Sequence, residues 1–122
     1  MPLGPSSSPE HYARRPDAVA LIHRLGSMID QLGGRQALYA LLGGRAAFAQ
    51  HVAKPAQLST YFGAQQSLPK EETFQRIRTF LNVVEPAVAA GTPIDPATLR
   101  AVLQADIDAR AARAAASVRR YR

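Results

Sequence analysis

From Asp17 onward, apolar residues return every three or four positions: Val19, Leu21, Ile22, Leu25, Met28, Ile29 and Leu32. That spacing lays one apolar stripe along a helix. Asp17 is placed to cap it, and Gly33-Gly34 to stop it. Ala37, Leu38, Leu41 and Leu42 mark a short second helix, closed by Gly43-Gly44. A third runs from about Arg45 to Ala53, with Phe48 and Val52 one turn apart. Pro55 suits the first turn of a fourth, where its missing N–H costs nothing. That helix turns Leu58, Tyr61 and Phe62 inward and ends at Gly63. After a loop at 64–69, Pro69 with Glu71 and Glu72 opens a fifth helix, whose inner face is Phe74, Ile77, Phe80, Leu81 and Val84. Pro86 ends or bends it.

The last helix has the clearest start. Asp95 is its N-cap, Pro96 its first residue, and Ile94 can staple onto Leu99. Leu99, Val102, Leu103 and Ile107 form a stripe that fades into alanine and arginine past Ala109. β-branched residues are few and no stretch alternates with period two, so no strand is expected. The predicted fold is all-α, a small bundle of five to six helices containing a helix-turn-helix, with a C-terminal basic helix.

Composition narrows the function. The chain has 122 residues, room for one compact domain. Residues 1–16, rich in Pro and Ser, read as a flexible leader; 17–92 form the helical domain; 93–122 form an Arg/Ala-rich helix for dimerisation or for use as a basic arm. Cysteine is absent, which excludes a disulfide scaffold, a thiolate metal site and a cysteine nucleophile. No apolar run reaches the roughly 18–20 residues that cross a bilayer. No apolar stretch follows a basic start, so a cleaved secretory signal is not expected either. The expected setting is cytoplasmic, with no membrane contact. Fifteen Lys and Arg against nine Asp and Glu leave +6, which favours a polyanionic partner. The excess is greatest at the end, where Arg110, Arg113, Arg119, Arg120 and Arg122 occur with no acid among them.

Residues 45–69 carry the functional signal: helix, tight turn, helix, loop. Two short helices joined by few residues cross steeply, so one can bridge the DNA backbone while the other enters the major groove. Such a unit needs a small residue at the crossing, here Ala49. It also needs apolar residues to fix the angle, here Phe48, Val52, Leu58 and Phe62, and short polar residues outside, here Gln57, Ser59 and Thr60.

The segment RAAFAQHVAKPAQLSTYFGAQQSLPKEETFQRIRTFL (45–81) resembles the helix-turn-helix domain of lambda-repressor-like regulators, the Cro and phage-repressor type. The matching marks are Phe48-Ala49, Leu58-Ser59, Gly63 and Leu68-Pro69. The family's turn holds a Gly followed by an apolar residue, where this chain has Ala53-Lys54, and its loop is often basic, where this chain has Gln65-Gln66. The resemblance implies a transcriptional repressor of a phage, plasmid or other mobile element. Such a repressor acts as a homodimer on an inverted repeat of double-stranded DNA.

Roles follow for the exposed positions. Gln57 can pair bidentately with adenine, and Thr60 can touch a thymine methyl or a base edge. Ser59 resembles the family's serine that bonds phosphate or base. Arg45 and Lys54 would hold phosphates at the starts of the two helices, with Gln65 and Gln66 in the loop beside them. Arg110, Arg113, Arg119, Arg120 and Arg122 are candidates for nonspecific phosphate contact. Ile107, Ala111, Ala114, Val118 and Tyr121 instead offer a narrow seam for pairing two chains.

A second register competes, in which residues 35–42 lead, Gly43-Gly44 turn and Arg45 to Val52 read DNA. Tyr39 would then sit at the crossing, where a ring forces the helices apart, and the first register is preferred. Two other functions stay open: a protein–protein adaptor (antirepressor, antitoxin or phage accessory factor), and nonspecific nucleic-acid coating by the arginine tail.

No enzyme is expected. His11 falls in the leader, His23 lies beside Ile22, and His51 is placed on the polar side of the third helix. No His-Glu pair has metal-ligand spacing, and Asp106 and Asp108 leave different helix faces. The glycine pairs lack the Lys and Ser/Thr of a phosphate loop, and no cofactor is implied.

Overall fold

The computed structural model describes residues 15–63 and 67–120, with side-chain surroundings as far as residue 117. It is all-helical over these residues. Six helices run α1 Pro16–Leu32, α2 Arg35–Ala40, α3 Arg45–His51, α4 Pro55–Tyr61, α5 Glu71–Ala90 and α6 Pro96–Arg120. Among the described residues, no helix is long and apolar enough to cross a membrane.

The two long helices α1 and α5 pack together and form the frame. Leu21, Ile22, Leu25 and Met28 of α1 and Phe74, Ile77, Phe80, Leu81 and Val84 of α5 are buried between them and the short helices. Each such side chain contributes about 1.5–3 kcal/mol of transfer free energy. α2 packs on α1, α3 on α2, and α6 on both α5 and α3. Leu99 and Leu103 of α6 belong to the same core as the other five helices.

Two Gly-Gly pairs fold the short helices back with almost the same backbone. Gly33 and Gly43 have φ of 93° and 95°, and Gly34 and Gly44 have 139° and 140°. These values are open to glycine and strained for residues with a Cβ. Gly33 closes α1, but α2 ends at Ala40, short of the expected stop at Gly43-Gly44; Gly34 and Gly44 cap the starts of α2 and α3. At Gly43 a Cβ would come within 2.5 Å of Arg100 Nη1, which donates to the Leu42 carbonyl at 2.7 Å.

Several boundaries differ from the sequence reading. Asp17 does not cap α1; Arg15 occupies that position without a side-chain capping bond, and Pro16 begins the helix. Arg15 and Pro16 are therefore part of the fold, since Arg15 Nη1 also donates to the Pro69 carbonyl at 2.9 Å and lies over the Phe74 ring. The remainder of the leader, with His11, lies outside the described residues. α3 ends at His51, so Ala53 belongs to the turn. Pro69 does not open α5, which begins at Glu71 after Lys70.

Pro86 neither ends nor breaks α5, which runs on to Ala90. Val84 is buried before it and Val88 packs on the core after it, so burial on both sides outweighs one lost backbone bond. Arg24 fixes the preceding turn, bonding Asn82 Oδ1 at 3.0 Å and Glu85 Oε1 at 2.6 Å. Asp95 caps α6 as the sequence indicates: its Oδ2 accepts from the Thr98 backbone N–H at 3.0 Å and the Thr98 hydroxyl at 2.7 Å. Those bonds, the hydroxyl's first, hold the Asp95 carboxyl below its ordinary pKa.

Candidate nucleic-acid interface

α3 and α4 are joined by Val52, Ala53 and Lys54 alone. Val52 and Ala53 both return their N–H to the Phe48 carbonyl, at 2.9 and 3.2 Å, and both side chains are buried. Lys54 is extended (φ −66°, ψ 132°), as a residue before proline must be, and Pro55 starts α4. The apolar inner side of this turn thus fixes the angle between the helices and leaves Lys54 outside.

α3 is held on three sides, against α2, α4 and α6. The Phe48 ring meets Tyr39 at 5.1 Å and Phe80 edge-on at 5.9 Å. The buried Tyr39 ring occupies the space between α2 and α3. His51 is also buried, contrary to its expected place on the polar side, with Nδ1 2.9 Å from the Ala47 carbonyl. Ala49, the small residue expected at the crossing, is half-buried. From α5, Arg76 Nη1 donates to the Gln50 carbonyl at 3.1 Å and anchors the last turn of α3.

α4 has an open face. Leu58 and Tyr61 are buried, and burial pushes the Tyr61 hydroxyl up to about 12. Phe62, expected in the core, is half-buried beside Gly26 of α1. Lys54, Ala56, Gln57, Ser59 and Thr60 are exposed. At about 100° per residue, Gln57 and Ser59 leave the helix on opposite flanks, with Ala56 and Thr60 on the crest between them.

The three polar side chains differ in what they already bond. The Thr60 hydroxyl donates to the Gln57 carbonyl of its own helix at 2.7 Å and accepts from Ser67 across the loop at 2.9 Å, so its donor is not free for a base. Its methyl remains for an apolar contact. Ser59 Oγ accepts from Arg35 Nη1 at 3.1 Å, and only Gln57 makes no side-chain bond among the described residues. Sequence reasoning missed Arg35: nothing in its spacing indicates that it reaches a serine 24 positions along.

Charge around this face is one-sided. Residues 31–70 contain Arg35, Arg45, Lys54 and Lys70 and no Asp or Glu. Arg45 and Lys54 are exposed, and neither joins an ion pair among the described residues. Gln65 and Gln66 lie outside the described residues, as does Arg122.

The arginines of α6 fare differently. Arg110 is a poor candidate for phosphate. Its side chain is only 14% exposed and pairs with Glu72 on α5 at 2.8 Å and with Asp106 on its own helix. Asp106 also accepts from Thr79 at 2.9 Å, and Glu72 from Arg76 at 2.7 Å. The Arg110 hydrogen bond above all holds the Glu72 carboxyl down to about 2. Arg113 is exposed along with all of residues 111–117, while Arg119 and Arg120 fall in the last turn of α6. Of the proposed pairing seam, Ile107 is half-buried, and Ala111 and Ala114 are exposed.

No protein-family model matches the chain, and comparison with curated proteins and with solved structures finds no match.

Proposed function

We propose that α3 and α4 act as a helix-turn-helix that binds double-stranded DNA with sequence preference, α4 entering the major groove. The observation that carries this reading is the exposed face of α4 (Lys54, Ala56, Gln57, Ser59 and Thr60), set in a forty-residue stretch without acid. α3, enclosed on three sides, has the supporting place and α4 the reading place, which favours the register with residues 52–54 as the turn. Arg45 and Lys54 supply sequence-independent phosphate attraction, and Gln57 supplies direct readout. The Thr60 methyl is left for a thymine. The biological role that fits is a transcriptional repressor of a phage, plasmid or other mobile element, acting as a homodimer. Its half-sites would lie about 34–36 Å apart, one helical turn.

Selection of bound duplexes from a random pool tests this. One palindromic consensus is the expected result, and Gln57→Ala should lose about 1–3 kcal/mol of base discrimination within it. A second reading draws on the exposure of residues 111–117: nonspecific phosphate binding by the far end of α6. It predicts no consensus, and loss of all binding when residues 111–122 are deleted. Failure of every duplex to bind would leave the protein–protein adaptor reading.

A further inference from the structure

The bond between Arg35 and Ser59 joins the start of α2 to one flank of α4, and no base-reading role of Ser59 requires it. We propose that these two residues form a clamp for a phosphodiester group of the duplex backbone, on the flank of α4 opposite Gln57. The clamp rests on the duplex-binding reading of α4.

Three features make the pair a phosphate site rather than a surface contact. Ser59 accepts its hydrogen bond from Arg35 Nη1 at 3.1 Å, so its own O–H proton stays free to donate outward. The Arg35 guanidinium makes no other hydrogen bond among the described residues. It keeps four N–H donors in a planar fork, the shape that meets two phosphate oxygens at once. The fork is also held in place, its centre 6.0 Å over the Phe62 ring at the end of α4. Asp30 lines the same groove but forms no ion pair with Arg35 among the described residues, so the guanidinium charge is not neutralised there.

A helix lying in the major groove runs between two phosphate backbones. The flank carrying Gln57 continues from Lys54, whereas the Ser59 flank has no cation of its own on α4. Arg35, delivered from α2, provides one. The clamp would therefore set how α4 sits between the strands, without choosing a base.

The test needs no operator, because a phosphate contact is independent of sequence. Binding of the full chain to a mixed-sequence duplex is measured across a salt series for wild type, Arg35→Gln, Ser59→Ala and the double variant. Arg78→Gln serves as an equal loss of charge on α5, and thermal unfolding of each variant confirms the fold. Arg35→Gln should weaken binding about tenfold and lower the slope of log K against log salt by about one. Ser59→Ala should cost several-fold alone and almost nothing once Arg35 is replaced. If wild type binds but Arg35→Gln loses no more than Arg78→Gln, the clamp is wrong and the duplex reading stands. If wild type does not bind duplex at all, both fall together.

Discussion

Residues 31–70 and residues 71–110 each hold four basic side chains, but put them to opposite use. In the second stretch six acids accompany them, and every arginine is engaged. Arg76 and Arg110 meet at Glu72, Arg78 bonds Gln75 and lies over Phe74, and Arg100 holds the Leu42 carbonyl. In the first stretch there is no acid, and among the described residues the one cation with a side-chain hydrogen bond, Arg35, has only a neutral hydroxyl. The number of cations alone does not distinguish these regions as binding surfaces. The accompanying acid does, because a cation beside carboxylates gains less by meeting phosphate than one with no acid near it.

The comparison can be broken at its shared base. Phe48 lies under both regions, against Tyr39 on one side and Phe80 on the other, and is fully buried. Phe48→Ala should lower stability by about 3–5 kcal/mol, measured by denaturant unfolding, and take both surfaces with it.

It can be sharpened by charge reversal. Arg45→Glu with Lys54→Glu should weaken duplex binding on the order of a hundredfold at fixed salt. Arg78→Glu, in the stretch that holds six acids, should cost only a few-fold. Equal losses per reversed charge would mean that overall charge decides and the location of the free cations does not.

The smallest effect belongs to the paired region and appears with pH. The folded pKa of Glu72, about 2, is below its ordinary value. The stability it contributes is therefore present above pH ~4.5 and lost as the pH falls toward ~2. With its side chain 52% exposed, solvent screening limits that contribution to about 1 kcal/mol. Glu72→Gln should be less stable than wild type by that amount at neutral pH and nearly equal to it near pH 2, while leaving Arg45 and Lys54 untouched.

What the sequence disclosed and what it withheld divide along physical lines. Features that depend on one helix's own spacing were legible: the apolar faces of α1 and α5, the Gly33 stop and the Asp95-Pro96 start. So was the exposure of Gln57, Ser59 and Thr60. Features that depend on a partner far along the chain were not. Thr60 accepts from Ser67 across a loop, Ser59 receives Arg35, and Arg110 pairs with a glutamate 38 positions earlier. His51 misled for a related reason, since its ring nitrogen is satisfied by its own helix and burial costs it little. Pro86 reads as a breaker until the packing on either side of it is known.

The most direct test is to map a mixed-sequence duplex onto the full chain by amide chemical-shift perturbation at moderate salt. The account predicts the largest shifts at residues 54–60, with Arg35 and Arg45 next and the Glu72–Arg110 face of α5 and α6 unmoved. Shifts confined to residues 111–120, with α4 silent, would contradict it.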